Sequence, residues 1–456
     1  RRQRQMCIRD SYMTYSNDIR KLFYLKDPNI IFDTASFSAP AERIRGVEHK
    51  IITARLTYTP ETCAKCGTTN EAFTVIKNGS KISRILLGHL NWSPITLKLK
   101  KQRFFCKACH QSFCAETALV DRHCFISNLV KLAVALELQQ TQAMTDIAHR
   151  LTVSPSTVIR VLEAVGETLD PDTTRLPKHL SFDEFKSVKA AKGAMSFVYA
   201  DSENRKLINI VENRQQSELL SYFHRYPYPV RQAVETVTID MYSPYLSVIA
   251  SCFPNAQVII DRFHIVQHLN RALNRCRVEV MNQLRYSRPR DYRKLKKLWK
   301  LVLKNEWDLD FTHYQTHRLF EGVMTEKMIV DYLLNLDEDF AWIYHLINNA
   351  KHALHTNRFH AFQAALEQSR QRPLKRYVRT AFQSLERYLT PIEASFHYAL
   401  SNGPIEGMNN KTKTLKRTGY GYRRFQHFRY RILIINRLTE TKGQSGRPVL
   451  RPKQTA

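Results

Sequence analysis

Three acidic residues stand where predicted strands or helices begin or end. Asp183 lies in an apolar stretch, Asp240 ends a β-branched run, and Glu406 opens a predicted helix after the breaker at 402–404. One such Asp proves little, because Asp often caps the helix that follows a strand. Carboxylates that meet in one pocket, however, repel each other unless a cation lies between them. Mg²⁺ prefers carboxylate oxygen, so convergence of the three acids would predict a divalent-cation site.

Nine cysteines, an odd number, argue against a framework of disulfides. Four of them form two close pairs, Cys63 with Cys66 and Cys106 with Cys109. Each Cys-x-x-Cys turn can hold one side of a metal ion, and two turns complete the four-sulfur set of structural Zn²⁺. The long separation between the pairs requires a β-hairpin between them, and His110 and Cys114 are alternative ligands. Two unrelated pairs of thiols are the competing interpretation.

Residues 144–165 predict two helices joined by a short turn. Apolar residues recur at helical spacing on both sides of the turn, Ser154 can cap the second helix, and Pro155 suits its first position. This pattern is typical of the helix-turn-helix, whose second helix enters the major groove of DNA. An ordinary pair of core helices is the alternative. The side chains expected to face DNA are those of Ser156, Thr157 and Arg160.

The chain is strongly basic, with a net charge of +29 from 70 Lys and Arg against 41 Asp and Glu. Such an excess suits a polyanionic partner, and nucleic acid is the first candidate. No stretch approaches the roughly 20 apolar residues of a membrane span, and the N-terminus has no apolar signal-peptide core. We therefore expect a cytoplasmic protein with no membrane partner.

Residues 180–261 predict the element order β-β-β-α-β-α-β, which forms a mixed sheet with helices on both faces. In the ribonuclease-H-like version of this topology the first and fourth strands are neighbours, which would bring Asp183 and Asp240 together. Residues 262–400 have mostly helical patterns. The predicted fold class is an α+β multidomain protein: a zinc-binding β module, a helix-turn-helix, and a ribonuclease-H-like α/β catalytic domain interrupted by a helical insertion.

A basic and aromatic tract follows Glu406. Lys and Arg are interleaved with Tyr and Phe as far as residue 431, which suits phosphate contact combined with base stacking. A solvated basic helix with a buried aromatic face is the alternative. The basic residues expected to bind DNA are Lys411, Lys413, Lys416, Arg417, Arg423 and Arg424.

The patterns divide the chain into consecutive segments. Residues 1–12 are expected to be a non-native, disordered leader, and residues 13–49 an N-terminal segment. The other expected segments are a zinc-binding domain at 50–120, a helix-turn-helix domain at 121–170, the first part of the catalytic core at 178–265, a helical insertion at 266–400, the last part of the core at 401–440, and a disordered tail at 441–456.

Four stretches resemble DDE transposases of the ISL3 (ISL-three) insertion-sequence family. They are FDEF at 182–185, TIDMYSPY at 238–245, FPNAQVIIDRFHIV at 253–266, and NGPIEGMNNKTKTLKRTGYGYRRF at 402–425. The cysteine pairs and the helix-turn-helix lie in the order that this family uses, although Ala64 stands where relatives often carry Pro. The resemblance runs from about Met13 to Leu438 and leaves residues 1–12 without a counterpart.

The resemblance implies that Asp183, Asp240 and Glu406 form a catalytic triad that holds two Mg²⁺ (or Mn²⁺) ions, beside a structural Zn²⁺. It also implies cleavage and strand transfer of double-stranded DNA, from terminal inverted repeats into target DNA, by a homodimer that pairs two ends. Asp261 either orients a water or a backbone contact or only caps a helix at 262, and His264 is expected to be structural. An inactive DNA-binding regulator and a nuclease of the same fold are the alternatives.

Overall fold

The computed structural model describes residue 20 and residues 25–33, 35–36, 39–398 and 400–437. The expected leader at 1–12 and the expected tail at 441–456 lie outside these residues. The chain forms two compact units. The first unit comprises the described residues up to Leu169 together with 414–422 and 426–437, and the second comprises those of 170–413 together with 423–425.

The first unit contains a six-stranded sheet. Its strands are β1 (Ile30–Asp33), β2 (Glu42–Ile44), β3 (Val47–Leu56), β4 (Val75–Leu90), β5 (Ser93–Cys106) and β6 (Ser112–Cys114). The order is β1-β3-β5-β4, with β2 on β3 and β6 on β5. Alternate residues of β5, such as Ile95, Leu97 and Leu99, are buried because successive side chains of a strand point to opposite faces. The long antiparallel hairpin of β4 and β5 confirms the hairpin predicted between the cysteine pairs.

Three helices follow this sheet in the first unit: α1 (Asn128–Glu137), α2 (Met144–Arg150) and α3 (Pro155–Glu167). Ser154 caps α3, and its side chain accepts a hydrogen bond from the backbone N–H of Thr157, as the sequence predicted. Val134, Ile147, Val158 and Leu162 form the shared core of the three helices.

The second unit contains a five-stranded mixed sheet. Its strands are β7 (His179–Lys186), β8 (Met195–Asp201), β9 (Lys206–Val211), β10 (Thr236–Ile239) and β11 (Gln257–Ile260). The order is β11-β10-β7-β8-β9. The strands β7, β8 and β9 meander antiparallel, whereas β10 is parallel to both β7 and β11. The predicted adjacency of the first and fourth strands of this sheet is therefore confirmed.

Twelve α-helices among the described residues lie wholly or mostly in the second unit. They are α4 (Gln216–Phe223), α5 (Tyr228–Gln232), α6 (Ser243–Cys252), α7 (Arg262–Ser287), α8 (Pro289–Lys297), α9 (Trp299–Leu303), α10 (Glu326–Leu334), α11 (Glu338–His355), α12 (Phe359–Gln368), α13 (Arg376–Arg387), α14 (Leu389–His397) and α15 (Gly403–Thr418). A small hairpin, β12 (Gln315–Thr316) and β13 (Val323–Met324), precedes α10. One continuous apolar core joins the sheet to the helices from α7 to α14. None of the described helices has both the length and the apolar character that a membrane crossing requires.

The last helix, α16 (Phe425–Arg437), corrects the expected domain boundary. Residues 401–440 were expected to complete the catalytic core, but Tyr430 and Ile434 pack into the core of α1, α2 and α3. The fit is close: a Cβ on Gly166 would lie 2.1 Å from the Tyr430 ring. The apolar side of α16 therefore completes the first unit.

Candidate active site

Asp183, within β7, and Asp240, at the end of β10, lie side by side on neighbouring strands. β10 pairs with β7 in parallel, with Thr238 opposite Ser181, and continuing this register by two residues sets Asp240 opposite Asp183. β10 is buried along its whole length and stops at Asp240, where the chain turns into α6. The end of β10 therefore brings Asp240 beside Asp183 while β7 continues to Lys186.

The surroundings of Asp183 disfavour its charged form. Burial first, and then the charge of Asp240, raise the pKa of Asp183 to about 7. The backbone N–H of Glu184 donates to Asp183 Oδ1 at 2.7 Å, and Asn409 Nδ2 donates to Asp183 Oδ2 at 2.7 Å. These hydrogen bonds orient both carboxylate oxygens, but the repulsion between the two acids remains. A cation between them would relieve that repulsion.

Asp240 also faces a histidine. His264 Nε2 lies 2.8 Å from Asp240 Oδ1 and 3.8 Å from Asp261 Oδ2. Asp240 Oδ1 is itself buried, so this contact with His264 lies largely away from water. Burial acts to lower the pKa of His264, but Asp240, Asp261 and Asp183 outweigh it and raise that pKa. These contacts give His264 polar partners, and the expectation that it is a structural histidine stays a prediction.

The first turns of α15 bring Glu406 towards the strand that carries Asp183. Asn402 Nδ2 donates to the carbonyl oxygen of Phe182 at 3.0 Å, and Asn409 contacts Asp183 as described above. Glu406 lies between the two asparagines, four residues after Asn402 and three before Asn409. Residues three or four apart are neighbours on one helix face. The turn of α15 that carries Glu406 is therefore held against β7 at both ends.

The oxygen atoms of the three acids do not meet at one point. Among the described residues, the cysteine cluster is the one group of three or more possible metal ligands within 4.8 Å of one another. Glu406 is exposed, whereas Asp183 and Asp240 are half-buried. The residues nevertheless suit a divalent cation chemically, because they supply carboxylate oxygens and an Asp with a raised pKa.

Asp261 connects the end of β11 to the start of α15. Its carboxylate is buried, caps α7 through the N–H of Phe263 at 3.5 Å, and accepts a hydrogen bond from the backbone N–H of Asn402. Burial raises the pKa of Asp261. Both a helix cap and a backbone contact, the two roles left open by the sequence, are therefore present.

A polar network that sequence reasoning missed lies next to Asp183. Glu184 accepts hydrogen bonds from Arg214 Nη1 and, at 2.6 Å, from the hydroxyl of Tyr245. The guanidinium of Arg214 also lies 4.5 Å from the ring centre of Tyr242. The network ties the chain after Asp240 to the residue after Asp183, so it stabilises the spacing of the two acids.

The four paired cysteines form a cluster in the first unit. Cys63 Sγ lies 3.8 Å from Cys109 Sγ, and Cys66 Sγ lies 3.8 Å from Cys106 Sγ. A tetrahedron with metal–sulfur bonds of about 2.3 Å has sulfur–sulfur edges of about 3.8 Å, so the cluster could hold Zn²⁺. Hydrogen bonds from the side chain and backbone of Thr68 lower the pKa of Cys66 to about 6. Against a backbone hydrogen bond from Gln111, burial and the neighbouring thiols raise the pKa of Cys109 to about 12. His110 and Cys114, the alternative ligands, are not in the cluster.

The predicted DNA-facing residues of α3 divide into two groups. Ser156 and Arg160 are exposed. Thr157 is a correction: it is 5% exposed, its hydroxyl lies 3.0 Å from the Ser154 hydroxyl, and it accepts a hydrogen bond from Arg160 Nη2. Its position in the capping turn of α3 directs Thr157 into the protein rather than towards a partner.

The basic tract after Glu406 also divides in two. Lys416 is half-buried, and the other predicted DNA-binding residues, Lys411, Lys413, Arg417, Arg423 and Arg424, are exposed.

The expected base-stacking aromatics are mostly buried, namely Tyr422, Phe425, Phe428 and Tyr430, and only Tyr420 of that set is exposed. Arg431 is fully buried and donates to the carbonyl oxygens of Leu138, Gln140 and Gln142. For residues 422–431, the alternative of a buried aromatic face is therefore correct.

Comparisons with known proteins show the family of this chain. The model of the DDE transposase family ISL3, described as "Transposase", matches residues 180–432. The transposase for insertion sequence element IS1001 of Bordetella parapertussis is 28% identical over 342 residues, which cover 74% of this chain and 80% of that protein. An ATP-dependent protease of Lactococcus lactis subsp. lactis is 32% identical over 111 residues, or 24% of this chain and 35% of that protein. Because the family match covers more than half of the chain and includes Asp183, Asp240 and Glu406, the chain belongs to the ISL3 family of transposases.

Proposed function

We propose that this transposase binds the terminal inverted repeats of an insertion sequence and catalyses metal-dependent cleavage and strand transfer of DNA through Asp183, Asp240 and Glu406. The observation that carries the proposal is the parallel register of β10 with β7, which sets Asp240 opposite Asp183. The contact between Asn409 and Asp183 adds the helix that carries Glu406 to the same edge of the sheet. This arrangement supports a ribonuclease-H-like catalytic domain.

The side chains around the acids have separate tasks in this proposal. Asp183, Asp240 and Glu406 would hold two Mg²⁺ or Mn²⁺ ions, which when bound activate the attacking oxygen and stabilise the leaving oxygen. Asn409 and the backbone N–H of Glu184 keep the Asp183 carboxylate in place. Near neutral pH the Asp183 carboxylate carries a proton for part of the time, so binding of a cation must displace that proton.

Recognition of the terminal repeats would belong mainly to the first unit. The exposed Ser156 and Arg160 on α3 fit contact with base edges or phosphates, and the cysteine cluster, as a Zn²⁺ site, would stabilise the neighbouring sheet. The exposed basic residues after Glu406 would contact the DNA backbone, and their affinity would fall steeply with salt. A homodimer fits the requirement that two DNA ends be processed together.

We expect Asp240→Asn to abolish DNA cleavage while DNA affinity stays within about twofold of the wild type. The substitution keeps the size of the side chain but removes the charge that binds a cation at the sheet edge. The measurement uses labelled DNA from the ends of the element with Mn²⁺ or Mg²⁺, and gel separation of cleaved and joined products. Lys189→Gln, a change on the loop after β7, is the matched control and should cleave as the wild type does.

The possible products distinguish the alternatives. Wild-type cleavage with joined products supports the transposase, and cleavage without joining supports a nuclease of the same fold. Binding without any cleavage supports the inactive regulator. Normal cleavage by Asp240→Asn would refute the assignment of the triad.

A further inference from the structure

The tip of the hairpin formed by β4 and β5 carries a tryptophan in an unusual position. Leu90 pairs with Ser93, so Asn91 and Trp92 form a two-residue turn. Both turn residues have positive φ, 49° for Asn91 and 65° for Trp92. Turns of this kind favour Asn followed by Gly, because only Gly adopts the second conformation without strain from a Cβ. A bulky Trp there is a backbone outlier that needs a reason.

Packing does not supply that reason. The Trp92 side chain is 91% exposed, the highest exposure of any large hydrophobic side chain among the described residues together with that of Tyr420. It therefore gains almost none of the free energy that burial of an indole would contribute. The residue strains the turn and leaves its apolar surface in water, so its retention does not follow from the stability of the hairpin.

The hairpin tip is attached to the predicted DNA-reading helices within the same unit. His89 Nε2 lies 2.9 Å from the Thr152 hydroxyl, in the turn between α2 and α3. Further along β4, the Ser127 hydroxyl that caps α1 donates to the carbonyl oxygen of Leu87 at 3.0 Å. Trp92 is three residues from His89, or within about 10 Å of chain. The turn that carries Trp92 is therefore anchored close to the start of α3.

We infer that the Asn91–Trp92 tip is a second DNA-contacting element, which places the Trp92 indole against duplex DNA beside the segment read by α3. The inference rests on the proposed DNA-binding function. In a helix-turn-helix the N-terminal residues of the second helix contact the bases, so an element tied to the turn before that helix lies beside the same duplex. An indole offers a flat apolar face and one N–H donor, which suits sugar faces and the floor of the adjacent minor groove.

Trp92→Gly separates a contact role from a structural role. Asn-Gly is the favoured sequence for this turn, so the variant should unfold at the same temperature as the wild type or higher. Its affinity for DNA should nevertheless fall about tenfold, since stacking or groove contacts of an aromatic side chain contribute on that scale. If Trp92 had only a structural role, Trp92→Gly would lower DNA affinity only to the extent that it lowered the unfolding temperature.

Phe73→Ala is the matched control. Phe73 is also an exposed aromatic residue with positive φ in the first unit, at 80% exposure and φ of 59°. It precedes the opposite end of β4, about 50 Å along the strand from Trp92. Its substitution should leave DNA affinity within about twofold of the wild type.

The probe is duplex DNA that the full-length wild-type protein selects from a random-sequence library, with affinity measured by fluorescence anisotropy and contacts by hydroxyl-radical footprinting. We expect Trp92→Gly to lose affinity and to lose protection on one side of the footprint. Wild-type affinity and footprint for Trp92→Gly, or an equal loss for Phe73→Ala, would overturn the inference. If the wild type binds the duplex but never cleaves DNA, the proposed catalysis fails while the proposed Trp92 contact still stands. If the wild type selects no duplex from the library, the proposed DNA-binding function and the Trp92 contact both fail.

Discussion

Asn409 donates a hydrogen bond to Asp183 from the same helix that carries Glu406, so this one side chain acts on two of the proposed catalytic acids. Asn409 is 6% exposed and also contacts the carbonyl oxygen of Glu184 at 3.5 Å. An amide suits this place, because a carboxylate would add repulsion and an aliphatic side chain would leave Asp183 Oδ2 without its donor.

We expect Asn409→Ala to slow Mn²⁺-dependent DNA cleavage by about tenfold and to raise the Mn²⁺ concentration needed for half-maximal rate. A hydrogen bond to a charged group contributes about 1.5–3 kcal/mol, and its loss releases both the Asp183 carboxylate and the α15 turn. The measurement is the cleavage rate across a series of Mn²⁺ concentrations, together with Mn²⁺ binding by calorimetry.

The neighbouring Asn410→Ala serves as the control for Asn409→Ala, since Asn410 is exposed on the next position of the helix. Wild-type rate and Mn²⁺ affinity in Asn409→Ala would show that the contact has no part in positioning the acids. An equal loss in Asn410→Ala would point to a general weakening of α15 instead.

At the scale of elements, α16 shows how a basic sequence can serve packing. Arg431 Nη2 donates to the carbonyl oxygens of Gln140 and Gln142 at 2.8 Å each, and Arg431 Nη1 donates to that of Leu138. These carbonyl groups follow the end of α1, where helical partners are missing. Burial lowers the pKa of Arg431, and the planar guanidinium compensates by satisfying three acceptors at once.

Replacing Arg431 with Ala should destabilise the first unit by about 3 kcal/mol, because three buried carbonyl groups lose their donor. Chemical denaturation of the full-length protein, followed by circular dichroism, measures the change. Arg423→Ala removes an exposed Arg close by in the chain and should change the free energy of unfolding by less than about 0.5 kcal/mol. Equal stability of the two variants would contradict a structural role for Arg431.

At the scale of the whole molecule, the chain has two compact units with separate cores, and the cysteine cluster lies in only one of them. Structural zinc contributes directly to folding free energy, so its removal should act on the unit that contains it. The core of the second unit joins the five-stranded sheet to the helices that follow it, and it contains none of the clustered cysteines.

Removal of zinc by a strong chelator, or Cys63→Ser, should therefore lower the temperature of one unfolding transition and leave a second transition in place. Differential scanning calorimetry with and without added Zn²⁺ measures both transitions. Cys124→Ser is the control, because Cys124 lies in the first unit outside the cluster. A chelator that shifts both transitions equally, or neither, would contradict this division of stability.

Several elements were predictable because local patterns reflect local geometry. The β-branched run before Asp240 became the buried strand β10, and Ser154 with Pro155 marked the start of α3. The two Cys-x-x-Cys pairs indicated their own cluster, since each turn already holds two sulfur atoms close together. In each case the residues that carry the signal are neighbours along the chain.

The basic tract shows where such patterns stop being informative. The aromatic residues between 420 and 430 fit base stacking and core packing equally well, and Thr157 fits a DNA-facing or an inward position. Burial of Tyr430 and Ile434 depends on the surface that α1, α2 and α3 provide, which lies more than 250 residues away in sequence. A local pattern does not specify which distant element will pack against its apolar residues.

The sequence by itself determined the order of the five strands of the second unit's sheet, the capped start of α3 and the cysteine pairs, because each depends on spacing along a short stretch. Only the tertiary structure decided that Asn402 and Asn409 flank Glu406 against β7, that Arg431 is buried, and that Trp92 is held beside the turn before α3. These contacts join residues separated by tens to hundreds of positions, and their geometry follows from packing of whole elements, which no short stretch encodes.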